Sequence, residues 1–242
     1  MGGRLDGQVA IVTGGTGGLG RHVVPALLED GAAVHVPWVD GGELEEVRPE
    51  LEAASESHGG TLRFHSCDAT DPAGVEALVE AVGREAAPPR ILCNLVGGFA
   101  LHSLQETTPT TWDRMMGLNA RSAFLASRAV APGMADAGGG RIVNVAAHPA
   151  VERGQALLSA YSASKAAVLN LTESLSKELV DRAITVNAVL PSIIDTAGNR
   201  AAMPEADRSA WLPPEEIAGV IRFLVGPEAR IVTGAAVTLS LG

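Results

Sequence analysis

Short apolar segments alternate with longer helical patterns along the whole chain, and this alternation most constrains the fold of its 242 residues. The apolar segments predict seven strands, at 8–13, 33–39, 61–67, 90–96, 141–147, 184–190 and 235–239. The intervening patterns predict helices at 19–29, 41–57, 72–85, 111–131, 160–180 and 213–224. The strands are continuously apolar, which is typical of parallel strands that helices cover on both faces. Each strand is reached across a helix, so we expect right-handed crossovers.

The domain organisation follows from length and from the absence of a break in this pattern. A doubly wound α/β sheet fills such a length as one unit, and no repeat or linker divides the chain, so residues 1–242 are predicted to form a single domain. Residues 192–212 lack clear periodicity and follow the carboxyl end of a strand. Open α/β sheets bind ligands at that edge, so this segment is predicted to be a substrate lid.

Composition excludes several classes of protein. A net charge of −10 argues against nucleic acid as a partner, because phosphates require clustered Lys and Arg. No apolar run approaches the roughly 18 residues of a membrane helix, and the first residues lack a signal-peptide core. Only Cys67 and Cys93 could pair, which predicts two buried thiols in a reducing cytoplasm. We therefore expect a cytoplasmic protein with a small-molecule substrate.

A glycine-rich turn separates the first strand from the first helix. Gly14 permits a sharp exit from the strand, Gly18 lets the backbone approach a pyrophosphate, and Gly20 allows close packing of the helix. A glycine turn alone is equally typical of an ordinary loop. Its place between the first strand and the first helix indicates a dinucleotide site on a Rossmann-type fold.

The spacing of Thr13-Gly14-x-x-x-Gly18-x-Gly20 resembles the glycine motif of the short-chain dehydrogenase/reductase family, and the resemblance extends over nearly the whole chain. Asn94-Leu95-Val96-Gly97 is similar to the family's Asn-Asn-Ala-Gly. Residues 191–196 resemble its Pro-Gly-x-x-x-Thr, with Ser192 in place of the glycine. The cofactor contacts that the resemblance implies are Gly14, Thr16, Gly17, Gly18, Leu19, Asp40, Asp68, Ala69, Asn94, Val96, Gly97, Tyr161, Lys165, Pro191, Ile193 and Thr196. Asp68 would lie near adenine, although it could instead cap a helix.

The end of the second strand normally selects between the two dinucleotides, because an acidic residue there bonds the ribose and repels a 2′-phosphate. Trp38 occupies the usual acidic position, and Asp40 lies two residues further on without a base directly after it. Gly17 stands where NADP-dependent members often carry a base. The chain is therefore predicted to prefer NAD(H) over NADP(H), although Asp40 is also typical of an ordinary turn.

Tyr161 and Lys165 lie four residues apart in a predicted helix, on one face. Hydride transfer to a carbonyl leaves an alkoxide that must gain a proton, and a tyrosine hydroxyl can supply it. Its ordinary pKa is about 10. A neighbouring ammonium, helped by an oxidised nicotinamide, is expected to lower that pKa. Tyr161 is the only tyrosine, and its YxxxK pattern matches the family's catalytic motif.

Two further positions complete the expected catalytic group. Asn119 matches the asparagine that helps to hold a water chain to the lysine, although it could be an internal polar residue. The family's serine at the end of the fifth strand is missing. Motif alignment places Ala147 there, whereas counting back from Tyr161 gives His148, and Ser159 is a weaker substitute. His148 could donate the hydrogen bond, the substrate could dispense with it, or the chain could have lost activity.

A partial resemblance to dihydropteridine reductases addresses the missing serine, because that subset also lacks it. Residues 96–100 and 190–213 carry this resemblance, and it implies a shared lid shape in which Met203 and Trp211 could close the pocket. The sequence predicts an oxidoreductase acting on a carbonyl, an alcohol or a conjugated imine; the alternative is a non-catalytic dinucleotide-binding sensor. Family members are usually homodimers or homotetramers. The histidines show no metal-ligand spacing, so no metal is predicted.

Overall fold

The computed structural model describes residues 3–152 and 154–241, and a seven-stranded parallel sheet runs through it. The strands are β1 (Val9–Thr13), β2 (Ala33–Trp38), β3 (Leu62–Ser66), β4 (Ile91–Asn94), β5 (Gly140–Val145), β6 (Ile184–Pro191) and β7 (Ala236–Leu239). Their order across the sheet is β3-β2-β1-β4-β5-β6-β7. Strands are therefore added to one side of β1 up to β3 and to its other side from β4 onwards. This is the doubly wound Rossmann order extended by β7, and the predicted fold class is confirmed.

Within residues 3–152 and 154–241, eight α-helices accompany these strands. They are α1 (Gly20–Glu29), α2 (Gly41–His58), α3 (Pro72–Glu85), α4 (Pro109–Met115), α5 (Ser122–Asp136), α6 (Ser159–Leu179), α7 (Ala197–Ala202) and α8 (Pro214–Val225). Asp or Thr side chains cap the N-termini of several helices. Asp40 caps α2, Asp71 caps α3 and Thr108 caps α4. Each cap accepts hydrogen bonds from backbone N–H groups that the first helical turn leaves free.

Helices cover both faces of the sheet. On one face, α1 packs on β1 and β2 and α8 packs on β5 and β6, through side chains such as Val24, Leu27 and Ile221. On the other face, α3 and α5 pack through Val82 and Val130, and a smaller cluster joins α6 to β6. Every residue of β1 and β6 is buried as a result, which explains why apolar residues predominate in these strands.

The predicted single helix at 111–131 is wrong, because a π-helical segment, Met116–Arg121, interrupts it between α4 and α5. The N–H of Ser122 bonds the carbonyl of Gly117, which is one residue further back than in an α-helix. The extra residue per turn points Asn119 towards α6, where its side-chain nitrogen donates to Ser164 Oγ at 2.8 Å. Short π-helical segments occur frequently at functional sites, and this one carries a predicted catalytic residue.

Residues 192–212 form a long loop after β6 whose two ends are joined by backbone hydrogen bonds. Leu212 N–H bonds the carbonyl of Ile193, and Asp195 N–H bonds the carbonyl of Leu212, so the two ends are tied together. Between these ends lies α7, which the aperiodic sequence did not predict. Among the described residues, no helix combines the length and apolar character needed to cross a bilayer.

Candidate active site

The glycine loop after β1 lies against the loop after β4. Gly14 has a φ of +69°, which favours glycine, and a Cβ there would lie 2.8 Å from the backbone nitrogen of Val96. A Cβ at Gly20 would overlap the carbonyl oxygen of Gly14, so the first turn of α1 packs directly on the loop. Leu19 precedes α1 without a side-chain cap, which leaves the helix start open to an anion.

Thr196 faces the glycine loop from the other side of the cleft. A Cβ at Gly18 would lie 2.8 Å from Thr196 Cγ2, so these two residues bring the loops after β1 and β6 into contact. Thr196 also caps α7, because its hydroxyl accepts from Asn199 N–H at 3.2 Å. Pro191 is buried at the end of β6, where it pairs with Leu239, and Ile193 is partly exposed beside it. The carboxyl edge thus gathers the predicted motifs after β1, β4 and β6.

The acidic residues after β2 and β3 serve first as local caps. Asp40 accepts hydrogen bonds from Gly42 N–H and Glu43 N–H, as the first residue before α2. Asp68 accepts from the N–H and hydroxyl of Thr70, both at 2.8 Å, and does not cap the following helix. Both carboxylates are exposed, and Ala69 beside Asp68 is buried. These contacts leave part of each carboxylate free to accept from a ligand.

Asn94 belongs to a buried polar network. Its side-chain nitrogen donates to Asn144 Oδ1 at 2.8 Å, and Asn144 in turn donates to Thr172 Oγ1 at 2.8 Å. The network links β4, β5 and α6, and it satisfies polar groups that would otherwise be costly to bury. The side chain of Asn94 is therefore engaged in the core, although the sequence placed it among the cofactor contacts.

Tyr161 and Lys165 lie in the first turns of α6, one helical turn apart. Lys165 is almost fully buried, and its Nζ donates to the carbonyl of Val145, at the end of β5, at 2.9 Å. Burial lowers the pKa of Lys165 to about 8 and raises the pKa of Tyr161 to about 12. The expected lowering of the tyrosine pKa is therefore not a property of the chain by itself, because desolvation dominates.

Asn119 and Lys165 meet beneath the loop after β4. A Cβ at Gly97 would lie 2.8 Å from Asn119 Oδ1 and 3.2 Å from Lys165 Nζ, so only a glycine fits here without displacing them. Asn119 Oδ1 accepts from Gly98 N–H at 2.9 Å, and its nitrogen donates to the carbonyl of Gly98. These two hydrogen bonds of the Asn119 side chain fix the loop to the π-helical segment. The contact brings Gly97, Asn119 and Lys165, three predicted site residues, together.

The two positions that the sequence offers for the missing serine, Ala147 and His148, lie just beyond β5. Ala147 is extended and 4% exposed, just beyond the end of β5. His148 follows it in a short 3₁₀ turn and is partly exposed, with its Nδ1 3.2 Å from Glu152 Oε1. The imidazole thus has a carboxylate partner that can orient it, and its other nitrogen remains available for a contact.

Three residues near Tyr161 were missed as site residues by the sequence patterns. The ring of Phe99 packs edge-on against that of Tyr161, with centroids 4.9 Å apart. Ser164 accepts from Asn119 and donates to the carbonyl of Tyr161 at 2.7 Å. Leu157 has a φ of +66°, uncommon for a leucine, and its carbonyl accepts from His102 N–H. Two signals in the sequence could have indicated them: Phe99 lies in the 96–100 segment, and the Ser164 hydroxyl lies three residues after Tyr161.

The segment 192–212 is anchored by its own contacts. Trp211 is 5% exposed, and the guanidinium of Arg208 lies over its ring at 5.6 Å. Arg200 forms a two-point ion pair with Asp195, at 2.5 and 2.7 Å. Trp211 therefore packs beneath the segment, whereas Met203 remains partly exposed at the end of α7.

The residues present suit a dinucleotide. Gly14 and Gly18 leave out side chains where a Cβ would fill the space between the loops, and the uncapped start of α1 offers N–H groups to a pyrophosphate. Tyr161 and Lys165 lie at the same carboxyl edge of the sheet, next to the loop that carries Gly97. This geometry places the glycine turn and the phenol of Tyr161 at one edge of the sheet.

Comparison with known proteins shows the family of the chain. Residues 8–207 match the family model described as short chain dehydrogenase. The chain is 32% identical to 2,3-dihydroxy-2,3-dihydro-p-cumate dehydrogenase of Pseudomonas putida, over 98% of this chain and 95% of that protein. It is 33% identical to a 3-oxoacyl-[acyl-carrier-protein] reductase of Pseudomonas aeruginosa, over 98% of each.

A solved structure gives the same result for the fold. It is that of a blue fluorescent protein from a metagenomic library in complex with NADPH, with a TM-score of 0.88 and 35% identity, over 98% of this chain and 97% of that chain. The Rossmann-type sheet of this chain thus agrees with that of a solved structure. The chain belongs to the short-chain dehydrogenase family and is an NAD(P)-binding oxidoreductase.

Proposed function

We propose that the chain transfers a hydride between a nicotinamide dinucleotide and a carbonyl, alcohol or conjugated imine, with Tyr161 as general acid and base. The observation that carries this proposal is the junction at Gly97, where Lys165 Nζ and Asn119 Oδ1 both lie within 3.2 Å of a Cβ position. This junction brings the proton-handling helix to the loop after β4, at the carboxyl edge where doubly wound folds bind dinucleotides. The bound nicotinamide supplies or accepts the hydride.

The chain's own residues handle the proton. The raised pKa of Tyr161, about 12, keeps the phenol protonated at neutral pH, which favours donation to a developing alkoxide. Lys165, whose pKa is lowered to about 8, is largely an ammonium at neutral pH and stabilises the phenolate that remains. We therefore infer that reduction is favoured at neutral pH and that oxidation of an alcohol becomes faster as the pH rises.

The residues around Tyr161 and Lys165 position these two side chains and the substrate. Asn119 and Ser164 hold the first turns of α6 against the π-helical segment, and Phe99 restricts the ring of Tyr161. The segment 192–212 is proposed as the substrate lid, since its two ends are tied and Thr196 reaches the glycine loop. His148, oriented by Glu152, is proposed to face substrate in place of the missing serine. Assembly into a homodimer or homotetramer stays a prediction.

The proton-donor role is tested with a Tyr161→Phe variant. We expect its rate of reduction to fall by roughly 10²–10⁴-fold, since a general acid contributes about that much. The assay is loss of absorbance by NADH and by NADPH, with a quinonoid dihydropterin and a panel of ketones as substrates. Phe99→Leu is the matched control, because it removes the ring contact and keeps the hydroxyl; a modest loss is expected there. Undiminished ketone reduction by Tyr161→Phe would refute the role.

We also propose that NAD(H) is preferred over NADP(H), and that Glu43 is the residue responsible. Glu43 Oε1 lies 3.6 Å from a Cβ position at Gly17, where NADP-dependent members often carry a base. A carboxylate thus occupies the space in which a cation would attract a 2′-phosphate. Arg21, on the first turn of α1, is already paired with Glu46 and Glu50. One similar structure holds NADPH, so the proposed preference of this chain is argued from its local charges alone.

The selector role of Glu43 is tested by measuring dissociation constants for both reduced dinucleotides by fluorescence titration. Glu43→Gln should strengthen NADPH binding relative to NADH by about two- to fivefold, as expected for loss of one exposed repulsive charge. Glu45→Gln is the control, because Glu45 is exposed on the same turn of α2. An equal change in both variants, or none in Glu43→Gln, would contradict this assignment.

A further inference from the structure

We propose that His35, His65 and Glu85 form a binding site for a divalent first-row transition metal ion, separate from the dinucleotide site. Their potential ligand atoms lie within 4.8 Å of one another. The three residues come from β2, from β3 at the edge of the sheet, and from the last residue of α3. The proposed reaction uses none of them.

Strand register brings the two histidines together. His35 on β2 pairs with Arg63 on β3, and paired residues of parallel strands point to the same face of the sheet. His65 lies two residues beyond Arg63, so it returns to that face as a diagonal neighbour of His35. α3 covers this face through Val75 and Val82, and its last residue is Glu85. The sequence prediction of no metal rested on spacing along the chain, which cannot detect such a pair.

The two rings are close enough to bind one ion. His35 Nδ1 lies 2.9 Å from His65 Nε2, which is the length of a hydrogen bond between the rings. Two nitrogens bound at about 2.05 Å to one ion are about 2.9–3.3 Å apart, so only a small movement separates the hydrogen-bonded pair from a metal-binding pair. A rotation of the partly exposed His65 ring lets an ion replace the proton that the two nitrogens share.

One anion and one cation face the histidine pair. Imidazole binds a metal ion in its neutral form, so Glu85 supplies the charge that attracts an ion. Glu85 on α3 is the anion that faces the pair, and Arg63 on β3 is the cation. Among residues 3–152 and 154–241, buried His35 Nε2 has no hydrogen-bond partner. A hydrogen bond to the other ring nitrogen usually orients a metal-binding imidazole and strengthens the site. His35 Nε2 makes no such bond in the described residues, so we expect a modest affinity for the metal ion.

The site is tested on untagged, chelator-treated protein by calorimetric titration with Cu²⁺, Ni²⁺ and Zn²⁺, and by Cu²⁺ electron paramagnetic resonance. One ion per chain is expected, with two nitrogen ligands in the Cu²⁺ spectrum. His65→Ala should weaken Cu²⁺ binding at least about tenfold and reduce the nitrogen count to one. Glu85→Gln should weaken binding without changing that count. His58→Ala is the control, because His58 is exposed at the end of α2 and should have no effect.

Three results would overturn the site. They are no Cu²⁺ binding by the wild-type protein, unchanged Cu²⁺ affinity and nitrogen count in His65→Ala, and a loss in His58→Ala as large as that in His65→Ala. Glu85 is exposed, so Glu85→Gln reports on the site even if His65→Ala folds poorly. None of these measurements depends on enzyme activity, so failure of the metal site leaves the proposed reaction untouched.

Discussion

Burial of Lys165 predicts that this residue makes the stability of the protein depend on alkaline pH. Its pKa is lowered from 10.5 to about 8 in the folded protein, so between these values the unfolded chain binds more protons. The contribution of Lys165 to stability therefore increases as the pH rises through this window, by about 1.4 kcal/mol per pH unit. Below the folded pKa, the full cost of the buried ammonium, about 3 kcal/mol, is present.

A Lys165→Met variant removes this titration and keeps a side chain of similar length. At pH 7 it avoids the cost of about 3 kcal/mol, but the Val145 carbonyl loses its donor, at a cost of about 1–3 kcal/mol. The two effects nearly balance, so the stability at one pH is uninformative and the pH dependence is decisive. From about pH 8 to about pH 9.5, the stability of the wild type relative to the variant should rise by about 2 kcal/mol.

The measurement is urea unfolding followed by circular dichroism, at intervals from about pH 7 to about pH 9.5. Staying below pH 10 avoids titration of Tyr161 in the unfolded chain, whose ordinary pKa is 10. Lys177→Met is the control, since the only other lysine is exposed on the same helix and should follow the wild type. If the wild type and Lys165→Met give parallel pH profiles, burial does not shift Lys165 and the reasoning fails.

Two further predictions concern the backbone of the site. Gly20→Ala should destabilise the protein, because the added methyl group overlaps the Gly14 carbonyl, and it should weaken dinucleotide binding in a fluorescence titration. Gly83→Ala is the control, because the space around Gly83 is open. This variant should show the usual helical gain in stability of about 1 kcal/mol for Ala over Gly. Ala147→Ser should raise kcat/KM for ketones about tenfold, by adding a hydrogen-bond donor worth about 1.4 kcal/mol, and leave a quinonoid dihydropterin unchanged. Equal effects on both substrates would refute that distinction.

Much of the architecture is encoded in local sequence. The bounds of most strands and helices lie within two residues of their predicted positions, because apolar runs, Asp caps such as Asp71 and glycine turns act over a few neighbours. The Tyr161–Lys165 pair is also a local feature, since a spacing of four residues places both on one helical face. These elements required no knowledge of which strand neighbours which.

Tertiary structure decided the features that join distant residues. The register of β2 against β3 places His35 beside His65, and the packing of α2 brings Glu43 to the glycine loop. The contact of Asn119 with α6 accompanies a π-helical segment in what the sequence predicted as one regular helix, and Asn94 is held by a core network. Local patterns record the period of an element, whereas these contacts depend on the register, order and packing of elements far apart in the chain.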